Sequence, residues 1–284
     1  MLSSTIIVYG ILAGLVAILV TVAIEKFGGL IGGVLGTIPS TIVPAAAGVY
    51  TIDGEESLIS SMSVVPLGML INGMFLGVWI ILPNKINVER LKLPATTLTS
   101  LGVWAILAGL SLFVARTFTD GVGSEIMLGI LGLVALVLLA ICFNKQSIAA
   151  PKGINEVPML ILALRGLAAG LAITVCLILA EQGLPFVAGL ASAFPAIFLT
   201  SMVALWISQG SKVPRGAAAP MMLGGASVSV YALIALWSLP SYGVIIGSCI
   251  AWFGAVGLWT VPAFFLLKQY SCLLYTSPSP RDLL

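Results

Sequence analysis

The chain has 284 residues, of which 60% are hydrophobic and 8% charged, with a formal net charge of +2 and no histidine. A soluble domain carries roughly 25% charged residues and needs a polar skin, so this composition excludes a soluble fold. The small net charge gives no reason to expect a nucleic-acid partner, and without histidine the chain lacks the commonest metal ligand and neutral-pH proton shuttle.

A helix needs about 20 apolar residues to cross a bilayer, and the charged residues punctuate the chain at suitable intervals. The expected fold is all-α, a polytopic transmembrane bundle of about nine spans. The first, residues 4–24, has no basic segment before it and is too long for a cleaved leader, so it is expected to stay. Glu25 closes it. Span 2, residues 28–50, opens on Gly28, Gly29, Gly32, Gly33 and Gly36 and contains Thr37, Pro39, Ser40 and Thr41. Span 3, residues 58–82, carries Asn72 at mid-depth, placed either to meet a solute or to hydrogen-bond a neighbouring helix. Spans 4 and 5 cover 97–115 and 125–143. A linker at 146–156 leads to span 6, residues 158–180. Its Arg165 lies roughly 13 Å along the helix from Glu156 at a 1.5 Å rise.

An intramembrane arginine is costly and marks function by default, although one less than halfway across can also snorkel to the interface. Glu181 closes span 6. Span 7, residues 184–207, contains Ser192 and Pro195. The uncharged stretch from Gly216 to Leu267 is too long for one span. It is split at Leu239–Tyr242, where Pro240 favours a turn, into spans 217–238 and 242–267. The tail, residues 271–284, reads SCLLYTSPSPRDLL. It resembles translated sequencing-adapter read-through, and is expected to be artefactual or a disordered tail.

With nine spans the basic residues segregate. One side holds Lys26, Lys85, Arg90, Lys92, Lys145, Lys152, Lys212, Arg215 and Lys268. The other holds Arg116 with Asp53, Glu55, Glu56 and Asp120. Basic loops prefer the cytoplasm, so the N-terminus is expected outside, in a plasma or organelle membrane. Cys142, Cys176 and Cys249 lie in apolar runs without metal-site spacing and read as small buried hydrophobes. Trp79, Trp104, Trp237 and Trp252 read as interface anchors or packing.

Set against itself with an offset of 156 residues, the chain aligns Gly14 with Gly170, Glu25 with Glu181, Gly33 with Gly189, Pro39 with Pro195, Gly54 with Gly210 and Gly68 with Gly224. After a change in loop length, Ser100 and Trp104 meet Ser248 and Trp252. This predicts two repeats: 1–145 with spans 1–5, and 157–270 with spans 6–9 and the last helix missing. An odd-numbered unit followed by its copy lies inverted, a recurrent plan of secondary transporters; duplication for packing alone is the alternative. Two five-helix inverted halves resemble the ten-helix drug/metabolite-transporter type of membrane protein in helix count and duplication. The resemblance rests on no shared motif and assigns no residue a role.

Proline removes a helix hydrogen bond, and in lipid the freed groups must be met by protein or a wet cavity. Pro39 and Pro195, with Thr37, Ser40, Thr41 and Ser192, therefore either line a polar pocket or mark packing kinks. The predicted substrate-binding set adds Arg165 and Asn72 to these six. Glu25 and Glu181 read as gates or as solvated helix ends. No nucleophile–histidine pair, metal cluster or nucleotide-binding fingerprint occurs, so the expectation is no enzyme, no metal and no cofactor. The expected function is a secondary transporter for a small, anionic solute working by alternating access. A non-transporting membrane scaffold or assembly protein is the alternative. The expected partners are the lipid bilayer and a small-molecule solute, with a homo-oligomer left open.

Overall fold

The computed structural model describes residues 3–27, 38–118, 122–145 and 158–276. Every regular element among the described residues is helical. In chain order these are α1 (Ser4–Phe27), α2 (Ile42–Ile81), α3 (Glu89–Phe118), α4 (Val122–Lys145), α5 (Met159–Glu181), α6 (Pro185–Ser192), α7 (Ala196–Gln209), α8 (Lys212–Ala255) and α9 (Val261–Thr276). A 3₁₀ turn, Leu82–Asn84, follows α2, and a π turn, Val256–Thr260, joins α8 to α9. Six stretches are long and apolar enough to cross a membrane, the property of a multi-pass integral membrane protein. In hydrocarbon a helix satisfies its own backbone, which is why apolar sequence and helix coincide here. Along α3, Leu98, Ile106 and Phe113 are 70%, 66% and 68% exposed. They form an outward apolar stripe that suits lipid and not water.

The two longest stretches, Ile42–Asn84 and Lys212–Gln269, exceed one crossing and fold back on themselves. Gly54 within α2 has φ 76° and ψ −161°, and Gly243 within α8 has φ 76° and ψ 174°. Glycine alone adopts this region readily. Beyond Gly243 the chain lies antiparallel against its own preceding turns. Ser238 Oγ donates to Gly247 O at 2.9 Å, and Trp259 Nε1 donates to Leu223 O at 2.7 Å. Likewise Ile42 and Asn72 border one cavity, although a straight helix would set them roughly 45 Å apart. The second reversal departs from expectation. The helix runs through Pro240 and turns at Gly243, because a membrane helix tolerates proline whereas the reversal needs a positive φ.

At the α1–α5 crossing a Cβ on Gly14 would lie 2.8 Å from Gly166 O, and one on Gly170 would lie 2.9 Å from Gly10 O. Gly10 also abuts Thr174, and Gly166 abuts Ile18. Moving up α1 is moving down α5, so the pair is antiparallel. Exchanging each residue for its counterpart 156 positions away turns the Gly14–Gly166 contact into Gly170–Gly10, and Gly10–Thr174 into Gly166–Ile18. The helices of residues 1–145 and 157–270 interdigitate: α1 packs on α5, and α2 packs on α8. The buried core runs through all four, with Ile6, Val65, Ile173 and Tyr231 among its members.

Of the three cysteines read as buried, Cys176 is buried, whereas Cys142 and Cys249 are exposed. An apolar run in a membrane helix faces lipid as readily as neighbouring helices, so run membership did not determine burial. Trp79 is buried against Phe75 and Trp206, whereas Trp237 is 58% exposed.

Candidate binding cavity

Pro195 interrupts the second apolar stretch of the later half. α6 ends at Ser192, residues 193–195 are non-helical, and α7 restarts at Ala196. In the earlier half residues 38–41 are non-helical and α2 starts at Ile42. Neither helix start has a side-chain cap. The N–H groups of a first turn lack intrahelical partners, and the helix dipole places partial positive charge there.

The starts of α2 and α7 both border a cavity of about 140 Å³. Part of its wall comes in counterpart pairs. Ile38 and Phe194, Ser40 and Ala196, Thr41 and Ile197, Ile42 and Phe198, Met69 and Gly225, and Asn72 and Val228 all line it, each pair 156 residues apart. Gly225 and Met69 face each other directly; a Cβ on Gly225 would lie 3.1 Å from Met69 Cε.

Arg165 is the charged residue of this wall; no Asp, Glu or Lys lines the cavity among the described residues. The side chain does not snorkel: Arg165 is 7% exposed. Its Nη2 donates to Ser201 Oγ at 2.7 Å and its Nε to Thr200 Oγ1 at 3.4 Å. Ser201 Oγ in turn donates to Ile197 O at 2.6 Å, and Thr200 Oγ1 to Ala196 O at 2.8 Å. The hydroxyls spend their protons on the first turns of α7 and offer lone pairs to the guanidinium. Arg165 is thus held against the restart beyond Pro195. A guanidinium stays protonated in proteins, so a fixed positive charge stands beside two positive helix ends.

Asn72 borders the same cavity and is 3% exposed. Its Nδ2 donates to Ala193 O at 2.8 Å, a carbonyl in the break of the later half. Its Oδ1 is buried without a hydrogen-bond partner. Ser192 lines the cavity and donates to Gly189 O at 2.7 Å.

Of the residues singled out in the sequence, Arg165, Ser40, Thr41, Asn72, Ser192 and Pro195 converge on this cavity. Pro39 is buried beside it but does not line it; its neighbours Ile38 and Ser40 do. Thr37 lies outside the described residues, as does the Glu25 side chain. Glu181 sits exposed at the end of α5, away from the cavity. Thr200 and Ser201 were not anticipated. The available signal was a pair of hydroxyls one turn beyond Pro195 in an otherwise apolar span. No protein-family model, curated protein or solved structure matches the chain.

Proposed function

We propose that the chain is a secondary transporter for a small anionic solute, working by alternating access between two inverted halves. The observation that carries this reading is the buried Arg165 on a cavity bordered by two uncapped helix starts and, among the described residues, by no acid. Burying a cation in a membrane protein is costly, and three positive features around one space favour an anion. Transporters with inverted repeats place solute sites where broken helices meet between the halves. The reciprocal α1–α5 contacts and the counterpart pairs in the cavity wall support the inverted-repeat reading. So does the shared backbone of Gly54 and Gly210, the latter at φ 80° and ψ 171°.

On this reading the hairpins at Gly54 and Gly243 divide the two longest stretches, and the chain crosses the membrane nine times with its N-terminus outside. Asp53, Glu55 and Glu56 then flank an external tip, and Lys85, Arg90 and Lys92 an internal one.

The test is uptake of small labelled carboxylates into proteoliposomes holding the full chain. Wild type should accumulate at least one of them, and Arg165→Ala should lower its uptake about tenfold to a hundredfold, the worth of a hydrogen bond to a charged group. Equal uptake by both proteins would remove Arg165 from the mechanism.

A further inference from the structure

Several buried side-chain polar atoms lack a partner, and among the described residues Asn72 Oδ1 is the one that belongs to the cavity wall. Buried polar groups nearly always find partners, and an orphaned acceptor is destabilising. The amide orientation is not arbitrary. Ala193 O can only accept, so the nitrogen must face it and the oxygen must be the other atom. The acceptor therefore belongs to a residue of the cavity wall, is 97% withdrawn from solvent with its residue, and has no donor among the described residues.

We infer that the transported solute is a small hydroxy-carboxylate, its carboxylate held at Arg165 and its hydroxyl donating to Asn72 Oδ1. This rests on the anion-transport reading above and adds the second functional group. Oδ1 itself is sealed from the cavity space in this structure, so on this proposal the amide turns about its bond to Ala193 O as the solute enters. The donor is a neutral hydroxyl and not an ammonium. A second cation would face Arg165 and two positive helix ends, with no carboxylate in the described wall to offset the repulsion. The size agrees: an enclosed apolar space of about 150 Å³ takes a benzene-sized molecule, and a four-carbon hydroxy acid is comparable.

The experiment compares uptake of butyrate, its three hydroxybutyrate positional isomers and γ-aminobutyrate by proteoliposomes of the full chain. One isomer should enter about tenfold to a hundredfold faster than butyrate at limiting concentration, the range expected when a buried acceptor is left unmet. γ-Aminobutyrate should be excluded. In Asn72→Leu the ratio of that isomer to butyrate should fall toward one; being a ratio within one preparation, it does not depend on the variant's yield. Butyrate entering as fast as every isomer, γ-aminobutyrate entering equally well, or an unchanged ratio in Asn72→Leu would each overturn the inference while leaving anion transport standing. Uptake of none of these carboxylates would overturn this inference, and the anion-transport reading would then stand or fall on the wider carboxylate screen.

Discussion

The two sides of the cavity share a backbone plan and differ in chemistry. Where the later half has Arg165, the residue 156 positions earlier is Tyr9; Thr200 and Ser201 face Pro44 and Ala45. In the other direction Asn72 corresponds to Val228, Ser40 to Ala196 and Thr41 to Ile197. Each of these polar groups has a counterpart that cannot do the same work. Tyr9 instead pairs its hydroxyl with Thr51 at 3.1 Å and does not line the cavity. On the inverted-repeat reading, paired helix starts can be produced by repetition of one unit. The proposed site, which would hold one end of a solute with a guanidinium and the other with an amide oxygen, cannot, because it must be asymmetric. Several of the matching positions are glycines and a proline, which set backbone paths, whereas the polar side chains at the cavity have unlike counterparts.

The comparison can be broken at the backbone first. Gly14→Leu and Gly170→Leu place side chains against a facing backbone carbonyl, and each should cost about 1–3 kcal/mol of stability through overpacking. Detergent-solubilised melting curves should fall by similar amounts for both, since the contacts are reciprocal; loss confined to one would deny the equivalence. Gly54→Ala and Gly210→Ala force a side chain into a conformation reserved for glycine, at a cost of about 1–3 kcal/mol each. Gly102→Ala is the control, with open space around it and no positive φ, and its melting point should stay within error of wild type or rise.

The chemistry is sharpened by smaller changes. Ser201→Ala removes the hydroxyl that receives Arg165 Nη2, and should reduce carboxylate uptake by about threefold to tenfold. Ala45→Ser, at the matching position of the earlier half, should leave uptake unaltered, because no arginine faces it at Tyr9. An equal loss in the two would make the asymmetry incidental.

Much of this was legible in the sequence. Apolar run length located the helices, since lipid leaves the backbone no alternative. Pro195 marked the break because it cannot donate. Arg165 stood out because charge is rare within a span. What the sequence concealed depends on which way residues face. Cys142 and Cys249 point outward although they sit in the same kind of run as Cys176. The turn at Gly243 was displaced from Pro240 because proline only weakens a helix that glycine can reverse. Thr200 and Ser201 became visible as site residues only once α5 was packed against α7.

Alternating access can be tested without knowing the solute. With the native cysteines replaced, Ser192→Cys places one thiol on the cavity wall beside the break at Pro195. In vesicles, a membrane-impermeant thiol reagent should modify it when added from the outside alone and also when added from the inside alone. Modification from one side only, or from neither, would contradict a cavity that opens in turn to both faces of the membrane.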